Sequence, residues 1–130
     1  MAGNWDATVT VLRATETGKN FVAATVQNGK EFDVVVEVEA GARIMEFATR
    51  HDVVVSVLNV SAGTVLARLP FGEPLTPATA ALHRSLRLSV PAGWIAQEGD
   101  VLEVVASYKL TAGLHPNASS ARSGDFIVTA

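Results

Sequence analysis

The chain has 130 residues with no cysteine, 48% hydrophobic and 18% charged residues, and a formal net charge of −3 at pH 7. This length suits a single domain over residues 1–130, and the lack of cysteine excludes disulfides and thiolate metal sites. The slightly acidic balance offers no general attraction to a phosphate backbone, so we expect no nucleic-acid partner.

Targeting signals are not evident in the sequence. The N-terminus has neither the basic start nor the apolar stretch of a signal peptide. No apolar run reaches the roughly 18 residues that indicate a membrane-spanning helix. We therefore expect a soluble protein with no membrane span, either cytoplasmic or assembled into a particle.

The first two predicted strands are short. Residues 7–14 place Ala7, Val9 and Val11 on one face. Trp5 precedes this strand, where it either covers a sheet edge or contacts a neighbouring subunit. Residues 21–26 form the next strand and lead into Asn28-Gly29, a dipeptide typical of hairpin turns because both residues tolerate positive φ. We predict a hairpin with the following strand.

The third predicted strand, residues 31–39, alternates with a period of two, as side chains on a strand do. Its even positions are all apolar, and its acidic side chains are Glu31, Asp33, Glu37 and Glu39. The pattern predicts one face in the core and one acidic face. We interpret the acidic face as solvated and protective against edge pairing. A cation site or a contact with a basic partner is the alternative.

The middle of the chain mixes strands and breaks. Residues 43–49 fit a short edge strand, whereas residues 51–60 are apolar on both faces, which indicates a central strand or a subunit contact. A strand over residues 64–69 is followed by residues 70–77, which contain three prolines and are predicted as a loop. A Thr-Pro pair then resembles a helix start and predicts a short helix near residues 77–83.

The last third adds an alternating strand at residues 85–90 and the longest strand at residues 101–110. Residues 111–124 are predicted as a loop, and residues 125–130 as a final strand. Seven to nine short strands with one brief helix predict an all-β fold, a two-sheet antiparallel β-sandwich. An immunoglobulin-like arrangement is the first expectation and a jelly roll the second.

Catalytic motifs are absent from the sequence. The three histidines lie in separate segments without metal-ligand spacing, so we interpret them as surface or loop residues and expect no metal, no cofactor and no enzyme activity. Candidate binding residues lie in the predicted loops, because loops on a rigid scaffold often carry recognition. They are Trp94, His115, Asn117 and Arg122. Trp94 either plugs the end of the sandwich or serves as a stacking platform for a sugar or an anchor for a protein partner.

The chain has more hydrophobic residues than a small sandwich needs to fill its interior. We therefore expect a non-enzymatic structural or assembly module that acts through protein–protein contacts, as a homo-oligomer or as an accessory component of a larger particle. The alternative is a small ligand-binding module such as a carbohydrate-binding lectin, in which Trp94 or Tyr108 would stack on the sugar.

Overall fold

The computed structural model describes residues 4–130, apart from the side chain of His115. In this part of the chain it has nine strands and one short helix. They are β1 (Ala7–Thr15), β2 (Thr25–Gln27), β3 (Phe32–Ala40), α1 (Ala42–Met45), β4 (Ala48–Asn59), β5 (Thr64–Pro74), β6 (Leu82–Val90), β7 (Val101–Ala112), β8 (His115–Arg122) and β9 (Phe126–Thr129).

The strands form two sheets, which confirms the prediction of an all-β sandwich. Sheet A has the order β1-β3-β6, and sheet B has the order β2-β9-β7-β4-β5 with β8 alongside β7. All pairs are antiparallel except β2 with β9. In an immunoglobulin-like sandwich, β1, β3 and β6 would be strands A, B and E, and β4, β7 and β9 would be strands C, F and G. The strand order therefore follows the first expectation.

The core lies between the two sheets and is built mainly from valines. Six inward-facing valines of β3 and β4 are completely buried, and they are Val34, Val36, Val38, Val53, Val55 and Val57. At the start of β3, Phe32 makes edge contacts with Trp94 and Phe126, each with ring centres 5.8 Å apart. The predicted inward face of β3 and the central position of β4 are confirmed.

β1 contains a bulge that the sequence pattern did not predict. The register with β3 shifts between Val9 and Val11, with Thr10 as the extra residue. Val11 therefore lies opposite Glu37 on the outer face, and Leu12 turns toward the core. The prediction that Val11 shares a face with Val9 is wrong because one inserted residue reverses the facing of everything after it.

The predicted loop at residues 111–124 is wrong, because most of it is strand. β7 runs to Ala112, turns at Gly113, and returns as β8. β8 is rich in serine, which has little preference for strands, but its backbone pairs with β7 from Val105 to Ala112. Pairing with an existing strand here overrides the local preference of the residues.

The loop predicted at residues 70–77 is also wrong over its first half. β5 continues through Pro70 to Pro74 and pairs with β4. β5 lies at the edge of sheet B, where proline is tolerated because a nitrogen on the open side need not donate a ladder bond.

The helix predicted near residues 77–83 is wrong, and the predicted edge strand at residues 43–49 begins as α1 instead. The N–H of Ala78 donates to the carbonyl of Met45 at 2.9 Å. The segment before β6 is therefore hydrogen-bonded to α1 and does not form a helix of its own. It then enters β6 at Leu82.

The turn at Asn28-Gly29 forms, and Gly29 has φ +76°. The predicted hairpin is nevertheless wrong, because β2 pairs with β9 in sheet B whereas β3 lies in sheet A. The turn passes between the sheets and is fixed by Asn28, whose amide bonds to both the backbone N–H and the carbonyl of Ala96.

Candidate functional site

An exposed pair of aromatic rings lies beside α1, with Trp5 ahead of β1 and Phe47 between α1 and β4. Trp5 and Phe47 are stacked, with ring centres 6.1 Å apart and planes 11° from parallel. They remain 53% and 52% exposed, respectively. The guanidinium of Arg43 lies 5.7 Å from the centre of the Trp5 ring, within the range of a cation–π contact. The pair is thus ordered yet open to solvent.

The segment that carries Trp5 is held by backbone and side-chain bonds. The carbonyl of Asn4 accepts from the N–H groups of Arg43 and Ile44, both at 3.0 Å. These are N–H groups of the first turn of α1, which have no partner within the helix. The amide of Asn117 on β8 donates to the carbonyl of Trp5 at 3.2 Å. Trp5 is therefore fixed from α1 on one side and from β8 on the other.

The turn between β7 and β8 completes an apolar groove beside this pair. Leu114 at the turn is 94% exposed. The groove has a volume of about 600 Å³ and is lined by Trp5, Ile44, Phe47, Ala112, Gly113, Leu114, Pro116 and Asn117. We call its exposed apolar side chains, Trp5, Phe47, Leu114 and Pro116, the aromatic end.

Only some of the predicted binding residues lie at the groove. Asn117 lines the groove, but its amide oxygen also accepts from the N–H of Ala7 at 3.4 Å, so its contacts are structural. The side chain of His115 lies outside the described residues. Arg122 lies at the far end of β8, where it pairs with Glu103.

Trp94 is separated from the aromatic end by the length of β3. Its ring is only 8% exposed, and its indole N–H donates to the carbonyl of Lys30 at 2.8 Å. Tyr108 is completely buried. Neither ring offers a stacking surface, whereas Trp5 and Phe47, which were not among the candidate binding residues, do. An aromatic side chain ahead of the first strand was the available signal for Trp5.

The acidic row on β3 divides into side chains with different roles. Asp33 is 3% exposed and accepts from Arg87 at 2.8 Å, from Ser89 at 3.1 Å and from the N–H of Gly18 at 3.1 Å. Burial alone would raise its pKa, but these hydrogen bonds and the charge of Arg87 outweigh burial and lower the pKa below the ordinary 3.8. The interpretation of a solvated face is wrong for Asp33.

The other acidic side chains are less buried. Glu37 pairs with His83 at 3.2 Å, Glu31 is exposed, and Glu39 is half-buried. Across residues 4–130, with the His115 side chain excepted, no group of three or more His, Asp or Glu side chains is placed to hold a metal ion.

A buried polar chain links the two sheets elsewhere. His51 is completely buried, with Nδ1 2.8 Å from the hydroxyl of Tyr108 and Nε2 2.6 Å from Glu73. Arg84 of sheet A donates to the same carboxylate at 3.0 Å. The hydrogen bonds from Arg84 and then His51 lower the pKa of Glu73, and burial raises the pKa of Tyr108. The expectation that His51 is a surface or loop residue is wrong.

The direction of this chain follows from the charge on Glu73. An ionised carboxylate only accepts, so Nε2 of His51 carries the proton. Nδ1, the other ring nitrogen, is the partner of the Tyr108 hydroxyl. Because the rings of His51 and Tyr108 are completely buried, a substrate has no access to them. This row of hydrogen-bonded side chains therefore acts as a link between the sheets.

Comparison of the sequence with protein-family models gives no match, and comparison with the curated proteins gives none either. None of the helices in residues 4–130 is long and apolar enough to cross a membrane.

Proposed function

We propose that this chain is a non-enzymatic β-sandwich module that acts through protein–protein contacts, with the aromatic end as its docking surface. The carrying observation is the stacked, half-exposed pair of Trp5 and Phe47 beside the fully exposed Leu114. Contiguous exposed apolar surface of this kind is typical of interaction sites, and tryptophan is enriched among the residues that dominate binding energy.

Trp5 is already held in one position, and this favours binding. Stacking with Phe47 and the bonds from Asn117 and α1 fix Trp5 before any partner arrives. Binding therefore costs little side-chain entropy. Arg43 at the rim provides a charged group that can pair with an acidic or carbonyl group of the partner.

The groove suits a protein better than a sugar. Its walls are mainly apolar, and the amide of Asn117 is already engaged by the backbone of Trp5 and Ala7. A carbohydrate site needs polar groups free to bond hydroxyls as well as a stacking ring.

The test is affinity capture with the full chain and two matched variants, followed by identification and direct binding measurements with the captured protein. Phe47→Ser removes half of the aromatic pair, whereas Phe21→Ser removes an exposed phenylalanine elsewhere on the surface. We expect the captured partner to bind wild type and Phe21→Ser equally and Phe47→Ser at least about tenfold more weakly.

Two results would contradict the proposal. One is a partner that binds all three proteins alike. The other is glycan binding that changes the fluorescence of Trp5 and is lost in Phe47→Ser, because it would support a lectin. Thermal unfolding of each variant serves as the control for folding.

A further inference from the structure

β6 is the last strand of sheet A, and its outer edge has no strand partner among the described residues. It pairs with β3 along all nine residues from Leu82 to Val90. In a constant-type immunoglobulin sandwich a further strand, D, covers this edge. Here the chain passes from β5 in sheet B directly to β6. An open edge presents unpaired N–H and C=O groups that can pair with another strand.

The opposite edge of the same sheet is protected. β1 has a bulge at Thr10, which disturbs any further pairing. Side chains of β8 also occupy its backbone: Asn117 accepts from the N–H of Ala7 at 3.4 Å, and Ser119 accepts from the N–H of Val9 at 3.2 Å.

The edges of sheet B are also protected. β5 carries Pro70 and Pro74, which have no N–H to donate to a new strand. β2 at the other edge has only three residues. β6 differs from these three edge strands because it is long and contains neither proline nor a bulge.

Charge does not protect β6 either. Edge strands often avoid association through unpaired charges. The three basic side chains of β6 each have an acidic partner in the same chain. His83 lies 3.2 Å from Glu37, Arg84 lies 3.0 Å from Glu73, and Arg87 lies 2.8 Å from Asp33. The basic side chains of β6 are therefore not a row of unpaired charges along this edge.

The sequence of β6 is compatible with pairing to itself. An antiparallel pair centred on Leu86 uses all nine residues and keeps core-facing side chains opposite core-facing ones. Its opposed pairs are Leu82 with Val90, His83 with Ser89, Arg84 with Leu88, Ser85 with Arg87, and Leu86 with Leu86. No like charges meet in this register.

Neighbouring registers are less favourable. A centre at Ser85 opposes His83 and Arg87, and centres at Arg84 or Arg87 oppose two arginines. A shift by one residue places core-facing side chains opposite solvent-facing ones. Like charges directly opposite each other destabilise a strand pair.

We propose that β6 pairs with β6 of a second copy of this chain, antiparallel about a two-fold axis at Leu86. The pairing joins two three-stranded sheets into one of six strands. It uses a surface different from the aromatic end, so the two proposals fail or succeed separately.

The test is sedimentation equilibrium of the full chain over a concentration series, with two variants at one position. Ser85 faces solvent next to Glu37 on β3 and, across the proposed two-fold axis, would lie opposite Arg87 of the second copy. Ser85→Arg places like charges opposite each other twice, and Ser85→Glu places opposite charges there twice. We expect a wild-type mass of twice 13.6 kDa at high concentration, a dimer about tenfold weaker in Ser85→Arg, and one about tenfold tighter in Ser85→Glu.

Thermal unfolding of both variants serves as the control for folding, because within one chain position 85 lies opposite Glu37 on β3 and shares the outer face of β6 with His83 and Arg87. Thr8→Arg, on β1 opposite Glu39, makes the same kind of change at the protected edge and should leave the dimer unchanged.

Three outcomes would overturn the proposal. The first is a wild-type monomer at all concentrations up to about 1 mM, where even a weak pair is populated. The second is a shift in the same direction for both Ser85 variants. The third is a dimer that persists in Ser85→Arg but is lost in Phe47→Ser, which would place self-association at the aromatic end.

Discussion

Replacing Asp33 by asparagine keeps the shape of the side chain and removes its charge. Arg87 then retains only neutral partners, among them the carbonyl of Lys19 at 2.9 Å and the hydroxyl of Thr15 at 3.2 Å. Removing one member of a fully buried ion pair typically costs about 3 to 5 kcal/mol. The Arg87 side chain is 34% exposed, so water offsets part of this loss and we expect a cost of about 2 kcal/mol.

Chemical denaturation of Asp33→Asn and wild type at pH 7 measures this cost directly. For a domain of this size it corresponds to a fall of roughly 8 °C in Tm. The matched control is Glu31→Gln, which neutralises an exposed carboxylate two residues earlier and should change stability by less than about 0.5 kcal/mol. Equal effects of the two substitutions would refute the separation of Asp33 from the other acidic residues.

The pH dependence gives an independent check. The pKa of Asp33 in the folded protein lies below the ordinary 3.8, so the ionised side chain contributes stability that is complete above the pKa of the unfolded chain. That contribution is lost as the pH falls through the folded pKa. The stability difference between wild type and Asp33→Asn should therefore be constant near neutrality and shrink below about pH 4. A difference that grows in acid would contradict this assignment.

Two further predictions concern the core. Val36→Asp places an unpaired charge in the middle of the sandwich and should cost about 4 kcal/mol or more, whereas Glu37→Ala on the outer face should stay within about 0.5 kcal/mol; urea unfolding compares them, and similar costs would contradict the assigned facing of β3. Tyr108→Phe removes the hydroxyl that bonds to Nδ1 of His51 and should cost about 1 to 3 kcal/mol in the same assay, because a buried ring nitrogen loses its partner; unchanged stability would show that the hydrogen bond is not formed.

Local alternation in the sequence predicted the strands with an apolar face most accurately. β3 and β7 have hydrophobic residues at every second position, and a buried face strongly selects that pattern. β8 lacks this alternation, and its residues were therefore predicted as a loop. It forms a strand by pairing with the second half of β7. Its stability depends on a partner strand rather than on its own side chains.

The candidate site was only partly predictable for a related reason. Trp5 and Phe47 are 42 positions apart in sequence. They meet because α1 is hydrogen-bonded to the segment before β1. Asn117, a candidate binding residue from the sequence, lines the groove, but its side chain contacts the backbone of Trp5 and Ala7.

The sequence by itself determined the fold class, the inward face of β3 and the absence of disulfides, since these depend on residue type and on a period of two along one strand. The tertiary structure decided which sheet each strand joins, and so turned Asn28-Gly29 into a crossing between sheets. It also decided that Asp33 is a buried ion-pair partner and that the outer edge of β6 has no partner strand within residues 4–130. These features depend on contacts between residues far apart in the chain, and a local sequence pattern does not predict such contacts.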